Sequence, residues 1–395
     1  MKKYIIPIGI LIIGFMIYRM LQTNNVTEPA TEYELKPTAE QIHIPIDDDT
    51  KLFTRAMHHF TDVNGTEYLT IENTETADDY YYINFYRLDS CKLSHKVKIA
   101  KEGPNGIPNM MGHGILDLNH IFIHAFSTPE VYEIDRNGII LNRFSYPTAQ
   151  NGEMTTPTDF NSLIYKPLII QDNKLFCMQY PMPPNCTGEQ LKQTPLTVII
   201  DTLTQKVETS QLCYPELWSK GNGMGVNPHC SRIFDGERFI YAFRMSHDLL
   251  VTKDHIHSEI IPTKSKYIEE LQTEGFSRDL EFDTFQKLAS EQASYGNILY
   301  DKYRKVYYRF VYPKCSIETM NPEYIFCRKE FSIMVLDKNF KILGETLFPA
   351  GKYVPALFFI NENGLYLSTN NTDNPEMTDD ELSFQCFNFQ NNNTK

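Results

Sequence analysis

Five short stretches hold the side chains best suited to chemistry: His58-His59, Met111-Gly112-His113-Gly114, Asn227-Pro228-His229, Ser294-Tyr295-Gly296-Asn297 and Tyr353. Each lies at the start of an apolar, alternating segment. Imidazole nitrogens bind zinc and softer transition metals. If the segment starts meet on one axis, His59, His113, His229, Asn297 and Tyr353 would line a ligand-binding funnel. Such a funnel would hold a divalent metal, or polarise an ester or a sugar. The alternative is that these side chains only hydrogen-bond to neighbouring sheets. No pair has the local spacing of metal ligands. His120 and His124 would stand about 13 Å apart on one strand face, and His255 and His257 about 7 Å. The chain has no GxSxG elbow, HExxH pair, glycine-rich phosphate loop or EF-hand pattern. No catalytic residue is therefore assigned and no cofactor is expected, with a divalent metal as the one open case. Trp218, with Tyr214 nearby and the Gly221–Gly225 loop beside it, is either a sugar-stacking platform or a rim connector.

The elements that must position these residues follow a repeat. An apolar alternating strand leads into an aspartate, a turn and a second strand: Phe85–Asp89, Val131–Asp135, Val198–Asp201 and Ile333–Asp337, with a weaker copy at Asp254. Asn64-Gly65, Asn137-Gly138, Asp235-Gly236 and Asn363-Gly364 supply the positive-φ residues of tight hairpins. The pattern predicts an all-β fold, a six-bladed β-propeller in which the aspartate turns join third and fourth strands. Ile115–Leu118, His120–Phe126, Val131–Ile134 and Ile139–Phe144 would make one blade. About 57 residues per blade exceeds the roughly 40–50 of compact repeats, so the excess must lie in loops. One insertion, residues 265–293, carries Leu280, Phe282, Phe285, Leu288 and Ala289 at helical spacing, with Ser277 as a candidate cap. It is read as a surface helix over one end of the propeller, or as a lid. Ala356–Ile360, Leu365–Thr369 and Leu382–Phe389 supply three strands of the last blade, and Glu40–Ile46 the fourth.

The N-terminus suggests a location. Lys2 and Lys3 precede a charge-free run from Tyr4 to Tyr18, followed by Arg19, with no small-residue cleavage site and no cysteine for a lipid. The expected organisation is a signal anchor or transmembrane helix at 1–21, a linker at 22–40, the propeller at 41–390 and a polar tail at 391–395. The propeller would face the periplasm or the outside of the cell envelope. The net charge of −13 argues against nucleic acid. Eight cysteines in 395 residues do not make a disulfide scaffold. Cys177 with Cys186 and Cys315 with Cys327 are candidate bridges, with buried thiols as the alternative for both pairs.

The stretch from Tyr295 to Tyr312, YGNILYDKYRKVYYRFVY, resembles the signature of a bacterial family of unknown function. Its members are Gram-negative envelope proteins, usually lipoproteins, with a six-bladed, TolB-like β-propeller. The resemblance spans roughly residues 40–390 and implies no catalytic residue. Because the lipid-bearing cysteine is missing here, a proteinaceous anchor is favoured. Read physically, the signature is a hairpin: Asn297–Tyr300, a turn at Asp301–Lys305, then Val306–Tyr312. Val306, Tyr308 and Phe310 would face one side and Tyr307, Arg309 and Val311 the other, with Arg309 meeting a carboxylate or carbonyls between blades. The chain is thus expected to be an anchored binding or scaffolding module for an envelope protein, a peptide or a glycan. The competing expectation is a hydrolase or lyase for an ester, lactone or glycan, using a metal or a histidine cluster in the funnel.

Overall fold

The computed structural model describes residues 33–47, 50–52, 54, 56–126, 128–147, 163–164, 166–179, 192–215, 230–272, 280–316 and 330–391. The fold is all-β. β1 (Tyr33–Pro45) comes first. Four four-stranded sheets follow in chain order. They are β2 (Met57–Thr61), β3 (Glu67–Asn73), β4 (Tyr80–Arg87) and β5 (Lys92–Ala100); β6 (Met110–Asp117), β7 (His120–Ala125), β8 (Glu130–Ile134) and β9 (Ile140–Ser145); β10 (Ile169–Gln171), β11 (Lys174–Met178), β12 (Thr197–Asp201) and β13 (Val207–Thr209); and β14 (Cys230–Phe234), β15 (Phe239–Phe243), β16 (Asp248–Thr252) and β17 (Glu259–Pro262). The helix α1 (Phe282–Glu291) then leads to β18 (Ser294–Asp301), β19 (Val306–Tyr312), β20 (Phe331–Leu336), β21 (Ile342–Phe348), β22 (Val354–Ile360), β23 (Leu365–Ser368) and β24 (Glu381–Asn391). These seven strands and β1 form an eight-stranded sheet in the order β18-β19-β20-β21-β1-β24-β23-β22. It consists of two four-stranded meanders, joined where β1 meets β21 in parallel at Tyr33 and Gly344.

Strand alternation explains the packing, because each meander presents apolar side chains on both faces. Phe85 and Ile99 pack with Ile121 and Ile134. Phe122 and Val131 pack with Leu175 and Val198. Phe176 and Met178 meet Tyr241 and Phe243, while Ile240 and Leu249 meet Tyr295 and Met334. Phe310 and Ile333 meet Phe358 and Phe387, and Phe359 and Phe384 return to Met57 and Leu69 of the first sheet. Each side chain so buried contributes about 1.5–3 kcal/mol. The order of packing is therefore cyclic: the meander β22-β23-β24-β1 touches both its predecessor and the first sheet.

The aspartate turns form as expected. Asp135, Asp201, Asp254 and Asp337 each lie between a third and a fourth strand, and each carboxylate accepts two backbone N–H bonds of its own turn. Asp89 instead takes the Arg87 guanidinium. Asp62, Asp235 and Asp301 repeat the device between first and second strands, a second series that the strand-Asp pattern did not single out. Gly138 shows why one of these turns needs glycine: its φ is +79° and a Cβ there would lie 1.9 Å from Lys98 O on β5.

The signature hairpin is β18-β19, with Val306, Tyr308 and Phe310 in one cluster and Tyr307 and Val311 in the next. Arg309 is fully buried and donates to the carbonyls of Ser246 (2.7 Å), His247 (2.6 Å) and Thr263 (3.1 Å) on the β14–β17 sheet. Its guanidinium also lies 3.6 Å over the Tyr295 ring.

One expectation on chain organisation is corrected and several fall outside the described residues. β1 begins at Tyr33, so residues 33–40 of the expected 22–40 linker are strand, held by a ladder from Tyr33↔Asn391 to Pro45↔Glu381. The helix of the insertion starts at Phe282 without a side-chain cap, and Ser277 lies outside the described residues. So do the expected anchor at 1–21, most of the tail, and Cys186 and Cys327. Among the described residues Cys177 and Cys315 form no disulfide.

Candidate functional site

The first strands of the meanders, β2, β6, β10, β14, β18 and β22, hold most of the residues that the sequence singled out. The structure brings together only some of them. His113, on β6, is fully buried. Its Nε2 is 2.8 Å from Thr70 Oγ1 and its Nδ1 3.5 Å from Glu72 Oε2. The His58 ring stands edge-on to the His113 ring, with centroids 4.7 Å apart. Gly112, at φ +90°, turns its N–H onto Glu72 Oε2 at 2.8 Å. The cluster is therefore His58 on β2, Thr70 and Glu72 on β3, and Gly112 and His113 on β6.

Burial decides the charge of this cluster, because a low-dielectric site disfavours the ionised form of acid and base alike. It pushes the Glu72 carboxyl up to about 8, against the opposing pull of the Gly112 N–H. It pushes the His113 imidazole down to about 3. At neutral pH the pair is an un-ionised acid beside a neutral imidazole. The Thr70 hydroxyl donates to His58 O at 3.2 Å, so it accepts from His113 Nε2–H. That tautomer, assigned from the network, leaves Nδ1 as an acceptor facing the protonated carboxyl.

His59 points elsewhere. It bonds Glu67 Oε1 at 3.1 Å and lies against Phe359, and its hydrogen bond holds the Glu67 carboxyl below the usual range. Asn297, almost buried on β18, reaches Pro355 O at 3.5 Å and so ties β18 to β22. The ring of Tyr353 packs against Phe348 and Phe387 in the core. His229, Trp218 and the Gly221–Gly225 loop lie outside the described residues. Tyr214 is buried, with its hydroxyl on Gln179 O at 2.6 Å, and offers no stacking face. Among the described residues no three His, Cys, Asp or Glu side chains stand close enough to hold a metal ion.

Sequence reasoning found His113 but missed Glu72 and Thr70. The available signal was the pair of polar residues two apart on β3, hence on one face, alternating with the apolar core residues Leu69 and Ile71. A second buried polar centre, Arg232 on β14, donates from its Nη2 to Pro167 O and Phe176 O and so ties the β14–β17 sheet to the β10–β13 sheet.

No curated protein matches the chain. A crystal structure of a DUF4221 family member from Bacteroides vulgatus ATCC 8482 superposes with a TM-score of 0.82 at 28% identity, covering 91% of this chain and 99% of that one. A candidate exported protein from Bacteroides fragilis NCTC 9343 superposes with a TM-score of 0.52 at 10% identity, covering 93% of this chain and 98% of that one, a likeness of fold alone. The profile of the domain of unknown function DUF4221 matches residues 32–347, and the chain belongs to that family.

Proposed function

We propose that this chain is a membrane-anchored, envelope-exposed six-bladed β-propeller that serves as a binding or scaffolding module. The cyclic packing of four-stranded meanders, with the unit containing both chain ends seated on the first sheet, carries the propeller reading. The lysine pair followed by the charge-free run Tyr4–Tyr18 supports the anchor. In such a ring the first strands surround the axis, and their starts line one mouth. Half-buried His58 would front its polar wall, backed by buried Thr70, Glu72 and His113. Because Glu72 and His113 are both neutral at pH 7, this wall suits an uncharged ligand rich in hydroxyl or amide groups. A glycan or a peptide segment of an envelope protein meets that description.

Glycan and peptide arrays probed with the detergent-solubilised full chain test the reading. Binding by metal-free protein, weakened at least tenfold in Glu72→Gln and His113→Ala, is the expected result. Array binding that both variants retain in full would refute the assigned wall. One observation favours a second reading, a hydrolase or lyase: a protonated carboxyl beside a neutral imidazole is an acid–base pair. Stoichiometric metal in the purified protein, together with turnover of an ester, lactone or glycan, would support that reading instead.

A further inference from the structure

The two ends of the molecule differ in a way that the ligand mouth does not use. The turns between first and second strands and between third and fourth strands fall at one end. Arg238 in the β14-β15 turn donates to Lys338 O in the β20-β21 turn, and Arg304 in the β18-β19 turn donates to Asn361 O and Glu362 O in the β22-β23 turn. At this end the tips are apolar and exposed: Val63, Leu116, Ile139, Leu203, Ile256 and Tyr303, with Val63 at 93% and Leu203 at 76% of full exposure. Single exposed apolar residues need no explanation. Here, however, they recur at the turns of successive sheets. Leu347, by contrast, lies toward the other end of its strand.

Two further observations say what covers this end. β1 pairs antiparallel with β24 so that Tyr33 lies beside Asn391, at the turn end, and residues 1–32, with their charge-free run, precede it. The charges also divide. The turn aspartates are largely occupied by their own backbone amides; Lys302, Lys338 and Lys341 stand exposed at this end, where Lys253 pairs with exposed Glu237 and Glu362 is also exposed. The opposite end carries exposed Glu75, Asp78, Asp79, Asp373, Glu376 and Asp379, which outnumber its exposed Lys51, Lys264, Lys266 and Lys352. We infer that the turn end is a second membrane contact, lying on the lipid bilayer with its apolar tips in the interfacial region and its lysines at headgroup level. The inference rests on the anchored reading above and deepens it: the acidic end would then face away from the bilayer. Insertion of several apolar tips beside a basic rim is the chemistry of interfacial binding, and a tether raises the effective concentration of a weak contact.

The test uses the full chain in phosphatidylcholine nanodiscs, with the photocrosslinker p-benzoylphenylalanine in place of Val63, Leu203 or, as the far-end control, Glu376. Phospholipid adducts at positions 63 and 203, at least fivefold above position 376, are expected. Equal labelling at all three positions, or adducts between copies of the chain at 63 and 203, in protein that stays with the nanodisc would overturn the membrane contact and leave the anchor standing. Protein that does not stay with the nanodisc at all would overturn both.

Discussion

Replacing Arg309 by methionine tests the idea that the sheets are tied together by buried donors as well as by apolar packing. The guanidinium serves three carbonyls of the neighbouring sheet. They are not equally exposed to its loss. His247 O keeps the Thr263 N–H at 3.1 Å and the Thr263 hydroxyl at 3.0 Å. Ser246 O and Thr263 O lose the arginine bond and gain nothing from a thioether. Each buried acceptor left without a partner costs about 1–3 kcal/mol. Part of this is offset, because methionine removes a buried charge whose desolvation already lowers the Arg309 pKa to about 10. The net loss should be about 3 kcal/mol. Urea unfolding of the full chain in detergent, compared at a common m-value, reads it as a lower midpoint. Arg309→Lys keeps the charge but loses the planar fork, and should fall between the two. A methionine variant within about 0.5 kcal/mol of the parent, inside the usual range for neutral surface changes, would refute the argument. So would a lysine variant as stable as arginine.

The buried pair makes stability depend on pH from both sides. The folded-state pKa of Glu72 is raised from 4.5 to about 8, so its contribution is complete below 4.5 and is lost as pH rises toward 8. That of His113 is depressed from 6.5 to about 3, so its contribution is complete above 6.5 and is lost as pH falls toward 3. Thermal melts should show Glu72→Gln gaining on the parent between pH 5 and pH 9; parallel curves would contradict the assignment. Gly138→Ala should destabilise by about 2 kcal/mol or more, since alanine meets both a positive φ and the Lys98 carbonyl, and chemical denaturation measures it. Cys177 and Cys230 are buried, with thiols pushed up to about 12, so in the native chain at pH 8 they should resist maleimide while half-buried Cys213 and Cys315 react. Mass spectrometry after timed labelling gives the order.

Much of the architecture was legible in the residue order because its signals are local. An aspartate after an apolar alternation captures the amides of the next few residues, whatever surrounds it, so Asp135 and Asp337 announced their turns. The side-chain period of two separated Val306, Tyr308 and Phe310 from Tyr307, Arg309 and Val311, and the cores on either side of β19 follow that division. The extent of β1 was not local. Residues 33–40 carry few apolar groups and read as linker, yet they are strand because β24, far away in the chain, offers them a ladder. The site divided in the same way. Histidines at strand starts were visible as residue types. That His58 rather than His59 adjoins His113, that Glu72 completes the group, and that both titratable members are neutral depend on burial between two sheets. Composition and turn chemistry determined an all-β chain of repeated meanders. Only the tertiary structure decided which polar groups lose water together, because desolvation belongs to a place in space and not to a position in the sequence.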